Sequence, residues 1–223
     1  MDSNIKHCII NVAIGGWYPK GQQRLEKSLV YHGFTGDFIS WTYWPNDNYD
    51  KSCLYNAKAA AFEEAIALGY THIIWADSSI WAIRNPDELF DIINRDGYYF
   101  WQSGYNCAQS CSDKCLEYFN IDRDTAETFN EISSGLFGIN LENETAARFI
   151  NEWIQSAKDG AFLGSRLHDN QSNDKRFLFH RQDQSCASII ANKLGMKLHT
   201  AMQHVCYYQP KMEDNIIFTL RGI

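Results

Sequence analysis

Ile73-Ile74-Trp75-Ala76 is an apolar run set between Gly69 and Asp77-Ser78-Ser79. A short run with no polar alternation reads as a strand buried on both faces, and such strands belong to parallel sheets covered by helices. The rest of the chain has to be arranged around that strand. In open α/β sheets ligands bind beyond the carboxyl ends of the strands, which puts Asp77, Ser78 and Ser79 on the ligand edge. A carboxylate and two hydroxyls there suit a hard cation and a diphosphate. The plainer alternative is a turn cap before Pro86-Asp87-Glu88-Leu89-Phe90, which opens a helix.

The flanking segments alternate as an α/β fold requires. Cys8 to Ile14 reads as a first buried strand, broken by Gly15-Gly16. Gln22 to His32 has helical spacing with Leu25, Leu29 and Val30 on one face, and Asp37 to Trp41 is a second strand. Trp44 to Ser52 is a polar loop. Tyr55 to Leu68 is an Ala-rich helix with Ala57, Ala61, Ala65 and Leu68 in one stripe, capped by Gly69, and Thr71 to Ala76 is the central strand. Asp87 to Arg95 is helical, Tyr98 to Trp101 is an aromatic strand, and 102–130 holds short helices. Leu136 to Asn140 is a further strand and Glu142 to Ala157 an amphipathic helix. Asp159 to Lys175 is a Gly/Asp/Asn/Ser-rich loop, and Asp183 to Leu194 a helix capped by Gly195. Lys197 to His199 and Val205 to Tyr208 close the fold. Neither a repeat nor a linker interrupts the pattern, so residues 1–223 are expected to form one domain with a mainly parallel sheet, which could continue into a longer protein.

Charge and cysteine content narrow the class. The 27 acidic and 20 basic residues give a formal charge of -7 with no Lys/Arg block, which argues against a nucleic-acid binder. No segment approaches the ~18 apolar residues of a membrane span. Seven cysteines cannot form a complete disulfide framework, and Met1 to Lys6 lacks signal-peptide character. The expectation is a soluble cytoplasmic protein.

The order of these segments is specific. A first strand and Gly turn precede Leu54-Tyr55-Asn56-Ala57-Lys58-Ala59; Asp77-Ser78-Ser79, Asn85-Pro86 and Leu89-Phe90 come next. Ser133-Ser134-Gly135-Leu136-Phe137-Gly138-Ile139-Asn140 and His180-Arg181-Gln182-Asp183-Gln184-Ser185 follow. This set resembles sugar-nucleotide-dependent glycosyltransferases of the GT-A fold. Within them it is most similar to the N-terminal GT-A domain of a multi-domain chlorella-virus glycosyltransferase, which for a viral protein implies the host cytoplasm.

The resemblance implies a nucleotide-sugar donor, a UDP-sugar, a glycan hydroxyl acceptor and a divalent ion, Mn²⁺ or Mg²⁺, at an Asp-x-Asp motif. Asp77 matches the first position of that motif, and Ser79 stands where the second carboxylate belongs, which weakens a hard-cation site. A C-terminal His often completes the metal site in such enzymes; His199 and His204 are the candidates, with His204 preferred. By the same resemblance Ala13, Ile14 and Gly15 line the uracil and ribose pocket. Lys58 faces the nucleotide or pyrophosphate, and Ser134 and Gly135 touch the donor sugar. Asp183 takes the position of the base in inverting members.

Other readings rest on residue type alone. Lys20 and Arg24 are phosphate partners or a solvated helix face. Asp183 begins a helix, where the dipole favours the carboxylate and a simple cap is the alternative. Cys107, Cys111 and Cys115 lack zinc-site spacing and read as structural thiols. Of seven tryptophans, Trp44 and Trp81 are the ones expected at a ligand. Two rival functions stay open: a sugar-phosphate nucleotidyltransferase, which the loop Gly15 to Gly21 only partly imitates, and a non-catalytic sugar-nucleotide or glycan-binding module, which the missing carboxylate favours.

Overall fold

The computed structural model describes residues 6–163, 172–200, 203–211 and 213–221. In chain order the elements are β1 (His7–Val12), α1 (Tyr18–Tyr31), β2 (Asp37–Trp41), α2 (Asn56–Ala67), β3 (His72–Ala76), β4 (Ile80–Ala82), α3 (Asp87–Asp96), β5 (Tyr98–Tyr99) and β6 (Gln102–Asn106). Three short helices follow, α4 (Cys107–Ser110), α5 (Asp113–Tyr118) and α6 (Arg123–Glu127). Then come β7 (Asn130–Ile132), β8 (Leu136–Asn140), α7 (Glu144–Lys158), α8 (Asp183–Lys193), β9 (Val205–Tyr207) and β10 (Phe218–Leu220).

The main sheet has the order β2-β1-β3-β8-β5. β1 pairs in parallel with β2 and β3, while β8 runs antiparallel to both β3 and β5. The mainly parallel expectation therefore holds with one reversed strand. Every residue of β3 and β8 is buried, as a strand with helices on both faces must be. Leu25 and Leu29 of α1 with Leu89 and Ile93 of α3 cover one face over Ile9 and Ile74. Phe62 of α2, Phe149 and Trp153 of α7 and Ile189 of α8 cover the other over Ile73 and Phe137. A small sheet, β4-β10-β9, and a ribbon, β6-β7, flank this core.

Several boundaries differ from expectation for identifiable reasons. α1 starts at Tyr18 because Pro19 sits in its first turn, where a missing N–H is harmless. Leu68 ends the Ala stripe of α2 in solvent, 53% exposed. Only Tyr98 and Tyr99 of the aromatic segment join the sheet; Trp101 instead bridges to His199. β6, β7 and β10 carry no alternation that sets them apart. The 159–175 loop falls partly outside the described residues.

Two glycine features shape the ligand edge. Gly15 and Gly16 have φ of 73° and 56°, so the turn after β1 uses conformations that other residues adopt at a cost. A Cβ on Gly21 would lie 2.2 Å from the Ser78 carbonyl oxygen. Only glycine lets α1 press this closely on the segment that follows β3.

Candidate active site

β3 ends at Ala76, and Asp77 is held there from three sides. Its N–H donates to the Gly135 carbonyl at 2.8 Å. Its Oδ1 accepts from Trp75 Nε1 at 2.7 Å and lies 3.1 Å from Lys58 Nζ. Because β8 is reversed, the segment entering it, Ser133 to Gly135, reaches the same edge that Asp77 occupies. The Lys58 ammonium is buried beneath this junction. It donates to the Ser134 carbonyl at 3.2 Å and to Ser134 Oγ at 3.4 Å, and lies 3.0 Å from Asp183 Oδ2.

Asp183 is the first residue of α8 and only 1% exposed. Two contacts fix that helix start: Trp153 Nε1 donates to the Asp183 carbonyl at 3.0 Å, and Ser134 N–H donates to Gln184 Oε1 at 3.0 Å. Gln182, just before it, has φ 44° and ψ -109°, a strained backbone of the kind that clusters at functional sites. Burial pushes the Asp183 carboxyl above the ordinary aspartate range, with Lys58 pulling the other way. This corrects the expectation that the helix dipole sets its acidity: desolvation is the larger effect. Burial also opposes the Lys58 charge, but Asp183 and Asp77 outweigh it and hold the ammonium above the usual lysine range.

Two cavities, of about 560 and about 520 Å³, share Tyr55, Lys58, Asp77, Ser79 and Gln182. The smaller extends toward the end of β1 and is walled by Ile14, Trp17 and Tyr18. The larger contains Asp183, Ser134 and Gly135 and opens past Phe179 and Arg181. The ion cluster thus lies where an aromatic chamber meets a mixed polar one.

The expected residues divide accordingly. Ile14, Lys58, Asp77, Ser79, Ser134, Gly135 and Asp183 converge on the cavities. Ser78 borders the smaller one but is 4% exposed and hydrogen-bonds with Asn11, itself bonded to Gln22 beneath the site. Ala13 is fully buried and donates to the Trp41 carbonyl, while Gly15 and Lys20 are exposed and line neither cavity. Arg24 braces the site from outside: its Nη2 donates to the Ser78 carbonyl at 3.2 Å and its guanidinium lies 4.1 Å from the Trp81 ring centre. Trp81 and Trp44 line neither cavity.

His204 is not brought to Asp77. Its ring packs against Tyr99 and His199, and its carbonyl accepts from Ile217 and Phe218. Among the described residues no three of His, Cys, Asp and Glu gather as a metal cage would need. Tyr55, Trp17, Tyr18, Phe179, Arg181 and Gln184 line the cavities without being singled out as site residues in the sequence. Tyr55 lies within one segment that carries the resemblance, and Arg181 and Gln184 within another; Trp17, Tyr18 and Phe179 have no local signal.

No protein-family model matches the chain, and no curated protein matches it by sequence. Solved structures do. A glycosyltransferase involved in the glycosylation of the major capsid of PBCV-1 superposes with a TM-score of 0.54 at 11% identity, over 96% of this chain and 92% of that one. Mouse xyloside xylosyltransferase 1 gives 0.53 at 10% identity, over 97% of each chain. The WbbM bifunctional glycosyltransferase gives 0.54 at 11% identity, over 99% of this chain but 46% of that one, so the chain spans about half of that protein. The fold is therefore GT-A-like and shared with glycosyltransferases.

Proposed function

We propose that the protein is a glycosyltransferase that moves a sugar from a nucleotide-sugar donor, a UDP-sugar, to a glycan hydroxyl. The observation that carries this reading is the Lys58 ammonium between Asp77 and Asp183, at the junction of two cavities. Trp17, Tyr18 and Tyr55 offer aromatic faces for a base in the smaller cavity, and the larger one leaves room for an acceptor. The fold shared with glycosyltransferases supports the same reading.

In an inverting reaction the acceptor oxygen attacks the anomeric carbon and its proton passes to the Asp183 carboxylate. The bond from that carbon to the diphosphate oxygen breaks, and its electron pair leaves with the nucleotide. A carboxylate raised above the ordinary range is a better base than a solvated one, and Lys58 works against the burial that raises it. Ser134 ties Lys58 and Gln184 together, so the base is held before substrate arrives.

The donor set fits a divalent ion in one manner only. Two carboxylates and one ammonium leave a net negative charge, which repels a diphosphate. Asp77 and Ser79 would hold Mn²⁺ or Mg²⁺ jointly with the donor phosphates, the manner in which such ions bind through one or two carboxylates. The ion supplies charge neutralisation at the leaving group. His204 is not part of this set.

Ser79 in place of a carboxylate favours a second reading, a sugar-nucleotide-binding module without turnover. Calorimetry of UDP-glucose with and without Mn²⁺, in wild type and Asp77→Ala, tests the first. The expected result is metal-enhanced binding that falls at least ~10-fold in the variant. Absence of binding to UDP-glucose and UDP in all conditions overturns the UDP assignment. Binding with no UDP release selects the module.

A further inference from the structure

The mouth of the larger cavity is built differently from its floor. Leu178, Phe179 and Arg181 line it, and Leu178 is 52% exposed. The Arg181 guanidinium lies 4.4 Å from the Phe179 ring centre and 5.5 Å from that of Tyr105. Tyr105, 38% exposed, meets Phe179 edge-on at 5.0 Å. An apolar ledge around one cation, open to solvent, is an expensive arrangement for a surface loop unless something covers it.

The ledge is rigidly mounted. The N–H groups of Leu178 and Phe179 both donate to the Gln109 carbonyl, at 2.9 and 3.2 Å. Gln109 belongs to α4, whose start is closed by a reciprocal capping box with Asn106. The Arg181 N–H donates to Ser185 Oγ at 2.9 Å. Behind the guanidinium sits Glu131, fully buried, 3.9 Å from Arg181 Nε and accepting from the Ser103 hydroxyl. Arg181 is therefore aimed from behind by a carboxylate and from the side by two rings. No described residue hydrogen-bonds its terminal N–H groups, which are placed to serve a ligand.

We propose that Leu178, Phe179 and Arg181 form a built acceptor platform that takes a saccharide, with the apolar face of its terminal ring on Phe179 and Leu178. Arg181 donates to the ring hydroxyls on one side, and the cavity floor brings a further hydroxyl toward Asp183. Pyranose rings carry this combination of one apolar face and a rim of hydroxyls, and a cavity of about 560 Å³ is of small-ligand size. The inference rests on the glycosyltransferase reading for its orientation, since it puts donor and acceptor on opposite sides of Lys58.

The test is saturation-transfer NMR on the full chain with UDP, a serine-containing peptide and a panel of methyl hexopyranosides, pentopyranosides and a hexuronide. The variants are Leu178→Ala, Phe179→Ala and Arg181→Gln, each checked for an unchanged melting curve. The expected result is saturation of one ring face of at least one glycoside in wild type. That signal weakens roughly 10-fold in Phe179→Ala, and UDP affinity stays within about twofold, since none of the three borders the aromatic chamber. Leu178→Ala, at an exposed position, keeps the test readable if Phe179→Ala fails to fold. No glycoside signal in wild type, or equal signals in wild type and both apolar variants, overturns the platform. So does saturation of a serine-containing peptide with none of any glycoside. A Phe179-dependent glycoside signal with no UDP signal upholds the platform and instead removes the nucleotide reading.

Discussion

Lys58 organises the site through charge. Removing it as Lys58→Met strands two carboxylates, one of them fully buried, and is expected to cost about 3–5 kcal/mol in denaturant unfolding near neutral pH. The sign of the pH dependence follows from Asp183, whose folded pKa is raised. A raised carboxyl stabilises the fold fully below its unfolded value, and that contribution is lost as pH rises through the folded one. The deficit of Lys58→Met against wild type should therefore be largest above that window and shrink as pH falls. A deficit independent of pH would mean that Asp183 does not respond to the ammonium. Lys58 stands out in the sequence only through the resemblance: a Lys on a helix, taken alone, reads as solvated, and nothing local says that Asp77 and Asp183 are its partners.

The tie between the small sheet and β5 carries a second titration. His199 stacks on Tyr99 at 4.7 Å, and His204 meets both rings edge-on. Burial lowers the affinity of both imidazoles for a proton; the Gln203 hydrogen bond and Asp96 oppose this at His199 while Lys197 and Arg95 add to it, and His199 and Arg95 add to it at His204. Depressed histidines charge first in the unfolded chain, so stability falls as pH drops below the ordinary histidine range. Replacing both with Gln should flatten this decline by on the order of 1 kcal/mol between about pH 7 and about pH 5, read by urea unfolding. The long, strongly patterned elements were readable: β2 and β8 match their expected bounds, and α2, α3, α7 and α8 shift by a residue or two at their ends. β6, β7 and β10 were not, because strands of a small sheet or ribbon are specified by their partners and not by their own periodicity. The reversed direction of β8 was equally hidden, since a buried strand has the same composition whichever way it runs. The site shared this limit: Asp77 and Asp183 end or begin patterned elements, whereas Phe179 and Tyr18 acquire meaning only across the cavities.

Taken whole, the molecule keeps its thiols away from solvent. All seven cysteines are free and buried, including Cys115 and Cys186, whose sulfurs lie 3.8 Å apart. Ellman's reagent should therefore find almost no thiol in the native protein and all seven after denaturation, and reductant should leave the melting temperature unchanged. A fast-reacting native thiol would show that the segment carrying it opens readily.

The reversal of β8 and the late position of α8 also fix an order of assembly. All five strands of the main sheet lie before residue 141. Lys58 meets Ser134 across 76 residues and Asp183 across a longer span still. Asp183 is also the later of the two carboxylates to be synthesised, because α8 follows every strand of the main sheet. Such distant closures are slow. A chain that stops short of α8 holds every strand of its central sheet and still lacks Asp183, the second carboxylate beside Lys58.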